Sequence, residues 1–244
     1  MYKNLFKNKK AVFFDLDGTV ANSEPYWIDT LARIIKETKF SNYDYLMPEF
    51  GSPLFGQWQD FLDKNPGVTE LTAQQLVDKS NELYLKLIQD EGFNVREGFW
   101  EFVTELKHDK QMKVALVTST PRKITEAVLD RLGIHTTFDL VICGDEIKNN
   151  KPNPEIYKKV LQLLKLAPQD VLAFEDSPIG AKSATKAGLE TAIIWNGYTP
   201  KDNYPTNITD FFTDFTPFPG NLDTTLAEIL INRVNQRNNA TAVA

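Results

Sequence analysis

A chain of 244 residues, 42% hydrophobic and 25% charged, is long enough for one sizeable core plus a smaller second domain. Its formal net charge of −6 gives no electrostatic reason to expect a nucleic-acid partner. No apolar run approaches the roughly 20 residues of a membrane helix, so no membrane partner is expected either.

Residues 1–10 are polar and basic, and the apolar stretch after them is cut short by Asp15, which is not the pattern of a signal peptide. That stretch, Ala11–Leu16, is the first of five short runs rich in Val, Ile or Phe without clean alternation, as strands covered on both faces are. The others are Val114–Thr118, Leu140–Cys143, Val171–Phe174 and Thr191–Trp195. Nearly a hundred residues separate the first from the second, far more than one crossover needs. Within them, Tyr26–Thr38 has the spacing of an amphipathic helix, and residues 52–66 are rich in Gly, Pro and aromatics. Thr72–Asp90 is a second helix, opening with Thr72 and Gln75 as a capping box. Arg122–Leu132 and Ile156–Leu166 place helices between the later strands. Phe211–Phe215 is a weaker, edge-strand pattern and Leu222–Val234 a closing helix, followed by a polar tail, residues 235–244, expected to be disordered. Strand and helix in alternation predict an α/β fold, a doubly wound parallel sheet formed by residues 1–21 and 93–234. Residues 22–92 form a helical insertion. Cys143 is the sole cysteine, which excludes an internal disulfide and fits a cytoplasmic location.

Four elements, each following a strand, carry polar groups suited to one chemistry. Asp15-Leu16-Asp17-Gly18-Thr19 follows the first strand. Side chains two apart share a face of an extended chain, and two carboxylates there need a cation, a shared proton or water. Gly18 permits a tight turn. Thr118-Ser119-Thr120-Pro121 ends the second strand, with Thr120 and Pro121 as N-cap and first residue of a helix. Hydroxyls beside free backbone N–H groups suit phosphate oxygens. Lys151-Pro152-Asn153-Pro154-Glu155 follows the third strand and its loop and supplies a positive charge. Glu175-Asp176-Ser177-Pro178 ends the fourth, with Ser177-Pro178 capping the next helix. Carboxylates facing each other from the first and fourth strands make an oxygen cage suited to Mg²⁺, a hard cation that lets a phosphate dianion approach.

In this order the residues resemble the four motifs of the haloacid dehalogenase superfamily of phosphatases and phosphomutases. The resemblance runs from Asp15 to about Gly188. It takes in Asn22-Ser23-Glu24-Pro25, Gly144-Asp145-Glu146, Pro178-Ile179-Gly180-Ala181 and Ala187-Gly188. A helical insertion directly after the first motif resembles the α-helical cap of the branch that holds phosphoglycolate phosphatase and β-phosphoglucomutase. The resemblance implies a Rossmann-like core with an inserted α-helical cap domain, Mg²⁺ as cofactor and a small phosphorylated metabolite as partner. It implies Asp15 as the nucleophile that forms an aspartyl-phosphate and Asp17 as general acid, then base. Thr118 with the Ser119 amide would hold the phosphoryl group, and Lys151 would steady both it and Asp15. The implied Mg²⁺ site is Asp15, the main-chain carbonyl of Asp17, Asp176, and Glu175 directly or through water.

The function expected is a Mg²⁺-dependent phosphatase acting on a sugar phosphate or similar metabolite, as a monomer or weak dimer. A hexose phosphate mutase and a non-catalytic metabolite-binding protein on the same fold are the alternatives. Two departures weaken the mutase reading. Trp27 stands where β-phosphoglucomutase has a histidine, and Thr120-Pro121 stands where it has a Ser-Lys pair contacting the far phosphate of a bisphosphate. His108 and His135 read as surface histidines and Cys143 as a buried, inert thiol. Trp27, Phe55, Trp58 and Phe61 read equally as insertion core or as substrate-facing aromatics.

Overall fold

The structure, a computed structural model, describes residues 5–40, 51–197 and 199–218; the closing helix and tail expected beyond residue 221 lie outside the described residues. Among the described residues six strands are present: β1 (Ala11–Phe14), β2 (Lys113–Val117), β3 (Leu140–Ile142), β4 (Val171–Glu175), β5 (Glu190–Ile194) and β6 (Asp210–Phe212). The helices are α1 (Glu24–Lys36), α2 (Leu54–Lys64), α3 (Ala73–Leu87), α4 (Phe99–Thr104), α5 (Arg122–Leu132), α6 (Glu155–Leu164) and α7 (Pro178–Lys186). All strands are parallel, in the order β3-β2-β1-β4-β5-β6. The chain direction of the winding reverses beside β1, which puts a crevice at the carboxyl ends of β1 and β4.

Alternate strand residues supply the two faces of the sheet. Val12 and Phe14 join Val114, Leu116, Leu172 and Phe174 in one apolar cluster, covered by Phe99 and Phe102 of α4 and Ile124 and Val128 of α5. Ala11 and Phe13 join Ala115, Val117, Val171 and Ala173 in another, covered by Ile156 and Val160 of α6 and Ala184 of α7. Burial on both faces is why these strands lack a polar alternation. Phe14 stacks on Phe174 with centroids 5.5 Å apart and planes 11° from parallel.

The last strand differs from expectation. β6 stops at Phe212 because Asp214 accepts the Thr216 N–H at 2.8 Å and turns the chain. Phe215 leaves the sheet edge and packs edge-on to Phe14 at 5.6 Å. Helix α4 is absent from the sequence expectations, although Phe99, Phe102, Val103 and Leu106 carry helical spacing. It continues into one wider turn, Glu105–Asp109, where the Lys110 N–H reaches Glu105 O at 3.1 Å.

Between β1 and β2, α1, α2 and α3 enclose their own apolar cluster of Ile34, Ile35, Trp58, Ala73 and Leu76. Trp58 is 3% exposed and its indole N–H donates to Ser80 Oγ at 2.9 Å, while Phe61 packs on its ring. Phe55 faces outward. The capping box at Thr72 and Gln75 forms as the spacing predicts. The chain segments entering and leaving these helices are stapled together. Asn22 N–H donates to Asn94 O at 3.0 Å and Arg96 N–H to Val20 O at 2.8 Å. The Arg96 guanidinium reaches Gly18 O at 3.0 Å and Glu24 at 3.1 Å. Among the described residues no helix is long and apolar enough to cross a membrane.

Candidate active site

Asp15 is the first residue past β1, and its N–H donates to Phe174 O at 3.0 Å. One more ladder bond thus carries its carboxylate to the carboxyl edge of the sheet. Lys151, in the loop between β3 and α6, is 3% exposed. Its ammonium donates to Asp15 Oδ1 at 2.6 Å, Glu175 Oε1 at 2.7 Å and Val117 O at 2.9 Å. All three ammonium protons are used. Burial alone would lower its pKa, but the two carboxylates outweigh that and hold it above the ordinary lysine value.

Asp15, Glu175 and Asp176 place carboxylate oxygens within 4.8 Å of one another, all buried. Burial pushes the Asp15 carboxyl up to about 8; Lys151 opposes the rise and Glu175 adds to it. Burial also raises Asp176 well above the carboxylate range, with Asp15 and Glu24 adding. Two glycines let these acids approach. Gly18 has φ +77°, and a Cβ there would lie 2.2 Å from Asp176 Oδ2. At Gly180 a Cβ would collide with Glu175 Oε2, a buried oxygen with no hydrogen-bond partner among the described residues. Tyr157 donates its hydroxyl to Glu175 Oε1, and Tyr204 donates to the main-chain oxygen of Asp176 at 2.6 Å. Fully ionised, the three buried carboxylates would outnumber the one ammonium by two negative charges; burial and that excess together keep protons on Asp15 and Asp176 to higher pH. An oxygen-only donor set with that deficit fits a hard divalent cation such as Mg²⁺.

Asp17 is held elsewhere. Its side chain lies outside the carboxylate group, with Oδ2 accepting from Thr120 Oγ1 at 2.6 Å and Oδ1 from the Trp27 indole N–H at 3.1 Å. Two residues apart in sequence, Asp15 and Asp17 serve two different surroundings. Thr120 does not cap α5, as the sequence leads one to expect. The helix begins at Arg122 after an extended Pro121, which frees the Thr120 hydroxyl for Asp17. Thr118 is buried, its Oγ1 accepting the Thr120 N–H at 3.1 Å, and Ser119 Oγ donates to Gly51 O at 3.3 Å. A cavity of about 100 Å³ opens over Asp15, Asp17, Thr118 and Ser119. Sequence reasoning thus missed Trp27, Thr120 and Tyr157 as partners of the acids. The signal available was the need of Asp17 for donors. Ser177 caps α7 as predicted, accepting the Gly180 N–H at 3.0 Å. Cys143 is buried, and burial pushes its thiol up to about 11, consistent with an inert cysteine.

A family model for haloacid dehalogenase-like hydrolases matches residues 12–194. Over 188 residues the chain is 32% identical to a phosphorylated carbohydrates phosphatase of Thermotoga maritima, covering 74% of this chain and 82% of that one. Over 185 residues it is 31% identical to validoxylamine A 7'-phosphate phosphatase of Streptomyces hygroscopicus subsp. limoneus, covering 74% and 83%. Among solved structures, CbbY of Rhodobacter sphaeroides in complex with xylulose-(1,5)bisphosphate matches with a TM-score of 0.73 at 22% identity. That match covers 85% of this chain and 95% of CbbY, and it speaks for the fold. The matched span runs from within β1 to the end of β5 and takes in every residue of the carboxylate–lysine cluster, and the chain belongs to the haloacid dehalogenase-like hydrolase family.

Proposed function

We infer that this hydrolase cleaves small-molecule phosphate monoesters, a sugar phosphate or similar metabolite, through a phosphoenzyme on Asp15. It is a phosphoric monoester hydrolase. The observation that carries the mechanism is the separation of the two aspartates: Asp15 ion-paired to Lys151 among carboxylates, Asp17 held by Thr120 and Trp27 beside the cavity. With Oδ1 tied to Lys151, Asp15 attacks phosphorus through its other oxygen, forming an Asp15–phosphorus bond as the ester P–O bond breaks. Asp17 gives its proton to the departing oxygen. It then takes a proton from water as that water attacks phosphorus, which frees phosphate and regenerates Asp15. Thr118 and the Ser119 amide hold the phosphoryl oxygens, and Lys151, its protons given to Asp15, Glu175 and Val117 O, steadies the nucleophile and attracts the phosphoryl group through its charge. Fixed donors aimed at the developing charge are the main source of rate in such reactions. Asp15, Asp176, the main-chain carbonyl of Asp17, and Glu175 directly or through water would hold Mg²⁺. Bound there, the ion would cancel carboxylate charge and polarise the phosphoryl group. Residues 22–92 serve as a cap that excludes water over a core of residues 1–21 and 93–234.

The test is phosphate release from a panel of sugar, nucleotide and short organic acid phosphates. Activity with Mg²⁺ is expected to vanish with EDTA and return on adding the ion. Asp15→Asn is expected to lower kcat by at least roughly 10⁴-fold. A protein inert toward the whole panel in Mg²⁺ would overturn the reading.

A further inference from the structure

We propose that the leaving group this enzyme accepts is hydroxyl-bearing and uncharged, so that esters carrying a second phosphate or a carboxylate are poor substrates. This rests on the phosphatase reading and names the substrate class of that same cavity. The wall opposite Asp15 and Thr118 is made by Leu31 of α1, Pro53, Leu54 and Gln57 at the start of α2, and Asn81 of α3. The charged side chains lining the cavity are Asp15 and Asp17; among the described residues no lysine or arginine lines it. Residues 41–50, which lead into Gly51 in the sequence, contain Asp44 and Glu49 and no lysine or arginine.

Three basic side chains on the neighbouring segments are committed. Lys151 is spent on Asp15 and Glu175. Arg122, directly after Pro121, binds Glu126, Glu146 and Val141 O. Arg96 binds Glu24 and Gly18 O. The buried ammonium of Lys151 is paired with the nucleophile Asp15, where the phosphoryl group is transferred. A second anion on the leaving group meets no lysine or arginine among the described residues that line the cavity. That anion would instead be desolvated against Leu31, Pro53, Leu54, Gln57 and Asn81, none of which carries a positive charge.

The same wall suits hydroxyls. The Asn81 carboxamide is half-buried at the cavity and has no hydrogen-bond partner in the protein among the described residues, so it offers a donor and an acceptor. Gln57 is oriented by its amide, which donates to Ser52 O at 3.0 Å. Leu31, Pro53 and Leu54 supply apolar surface for the carbon face of a polyol or sugar.

Matched pairs test this on the full-length protein with Mg²⁺: fructose 6-phosphate against fructose 1,6-bisphosphate, and 2-hydroxyethyl phosphate against phosphoglycolate. The member without the second anion is expected to have a kcat/KM at least roughly 100-fold higher in each pair. Equal rates, or a preference for the doubly anionic member, overturn the proposal and leave the phosphatase reading standing. Interconversion of hexose phosphates through a bisphosphate also overturns it, because that reaction must hold a second phosphate. No phosphate from any ester overturns both. Asn81→Leu is expected to lower the preference for fructose 6-phosphate over hexyl phosphate by about 10-fold; an unchanged ratio removes Asn81 from the recognition of hydroxyls.

Discussion

Trp27 and Thr120 share the carboxylate of Asp17, and their chemistries are unequal. An indole N–H only donates, whereas a threonine hydroxyl donates or accepts. Oδ1 is thereby pinned by Trp27, and the proton that Asp17 exchanges is directed to Oδ2, where the Thr120 hydroxyl can turn to accommodate it. Trp27 is itself located by stacking on the buried ring of Tyr84, at 3.9 Å between centroids and 7° between planes. Trp27→Phe keeps a ring for that stack and removes the N–H. Losing one hydrogen bond to a charged group costs about 1.5–3 kcal/mol. If that bond matters most in the transition state, kcat is expected to fall roughly 10- to 100-fold while KM moves by less than about 3-fold. Steady-state kinetics separate the two, and a change confined to KM would make Trp27 a substrate contact instead. The cluster of Asp15, Lys151, Glu175 and Asp176 is legible in the sequence because each residue ends or follows a strand or its loop, so strand order alone brings them together. Trp27 is not legible in that way. Its contact depends on how α1 is rotated above the sheet, which tertiary packing decides.

The strands were readable for a physical reason: burial on two faces forces continuous apolar runs, and Ala11–Phe14, Lys113–Val117 and Val171–Glu175 fall within two residues of where those runs lie. Helix α2 was less visible. Gly56 lies inside it, so local propensity weakens a helix that packing against α3 then stabilises. Phe215 misled in the opposite direction, since its apolar character comes from the sheet cluster it enters after the chain has turned, not from a strand. The choice between core and substrate surface at Trp58 is settled by its bond to Ser80 and its near-complete burial. Truncating a buried tryptophan removes transfer free energy and leaves a cavity, at a cost of about 3–5 kcal/mol. Trp58→Ala is therefore expected to shift the urea midpoint down by that equivalent. A loss below about 1 kcal/mol would mean that α1, α2 and α3 are not packed as a tight cluster.

Across the whole molecule, charge is concentrated where the fold can least solvate it. A net −6 is a modest excess over the surface, but Asp15, Glu175 and Asp176 are enclosed with one lysine. In the metal-free protein, Asp15 and Asp176 hold protons to higher pH than they would unfolded, because burial disfavours their ionised forms. Between the unfolded value of 3.8 and about 8 for Asp15, the native state consequently binds more protons than the unfolded state. The contribution of Asp15 to the stability of the metal-free chain therefore falls as pH rises through that window. Mg²⁺ binds the ionised carboxylates, so it must displace those protons when added at low pH and meets fewer of them at high pH. Stabilisation by a ligand grows with its affinity for the native state. At a fixed Mg²⁺ concentration, the rise in Tm over an EDTA-treated sample is therefore expected to be larger at pH 8 than at pH 5. The comparison needs only thermal melts of one preparation in four buffers. An equal shift at both pH values, or a larger one at pH 5, would mean that the ion is not held by these buried carboxylates.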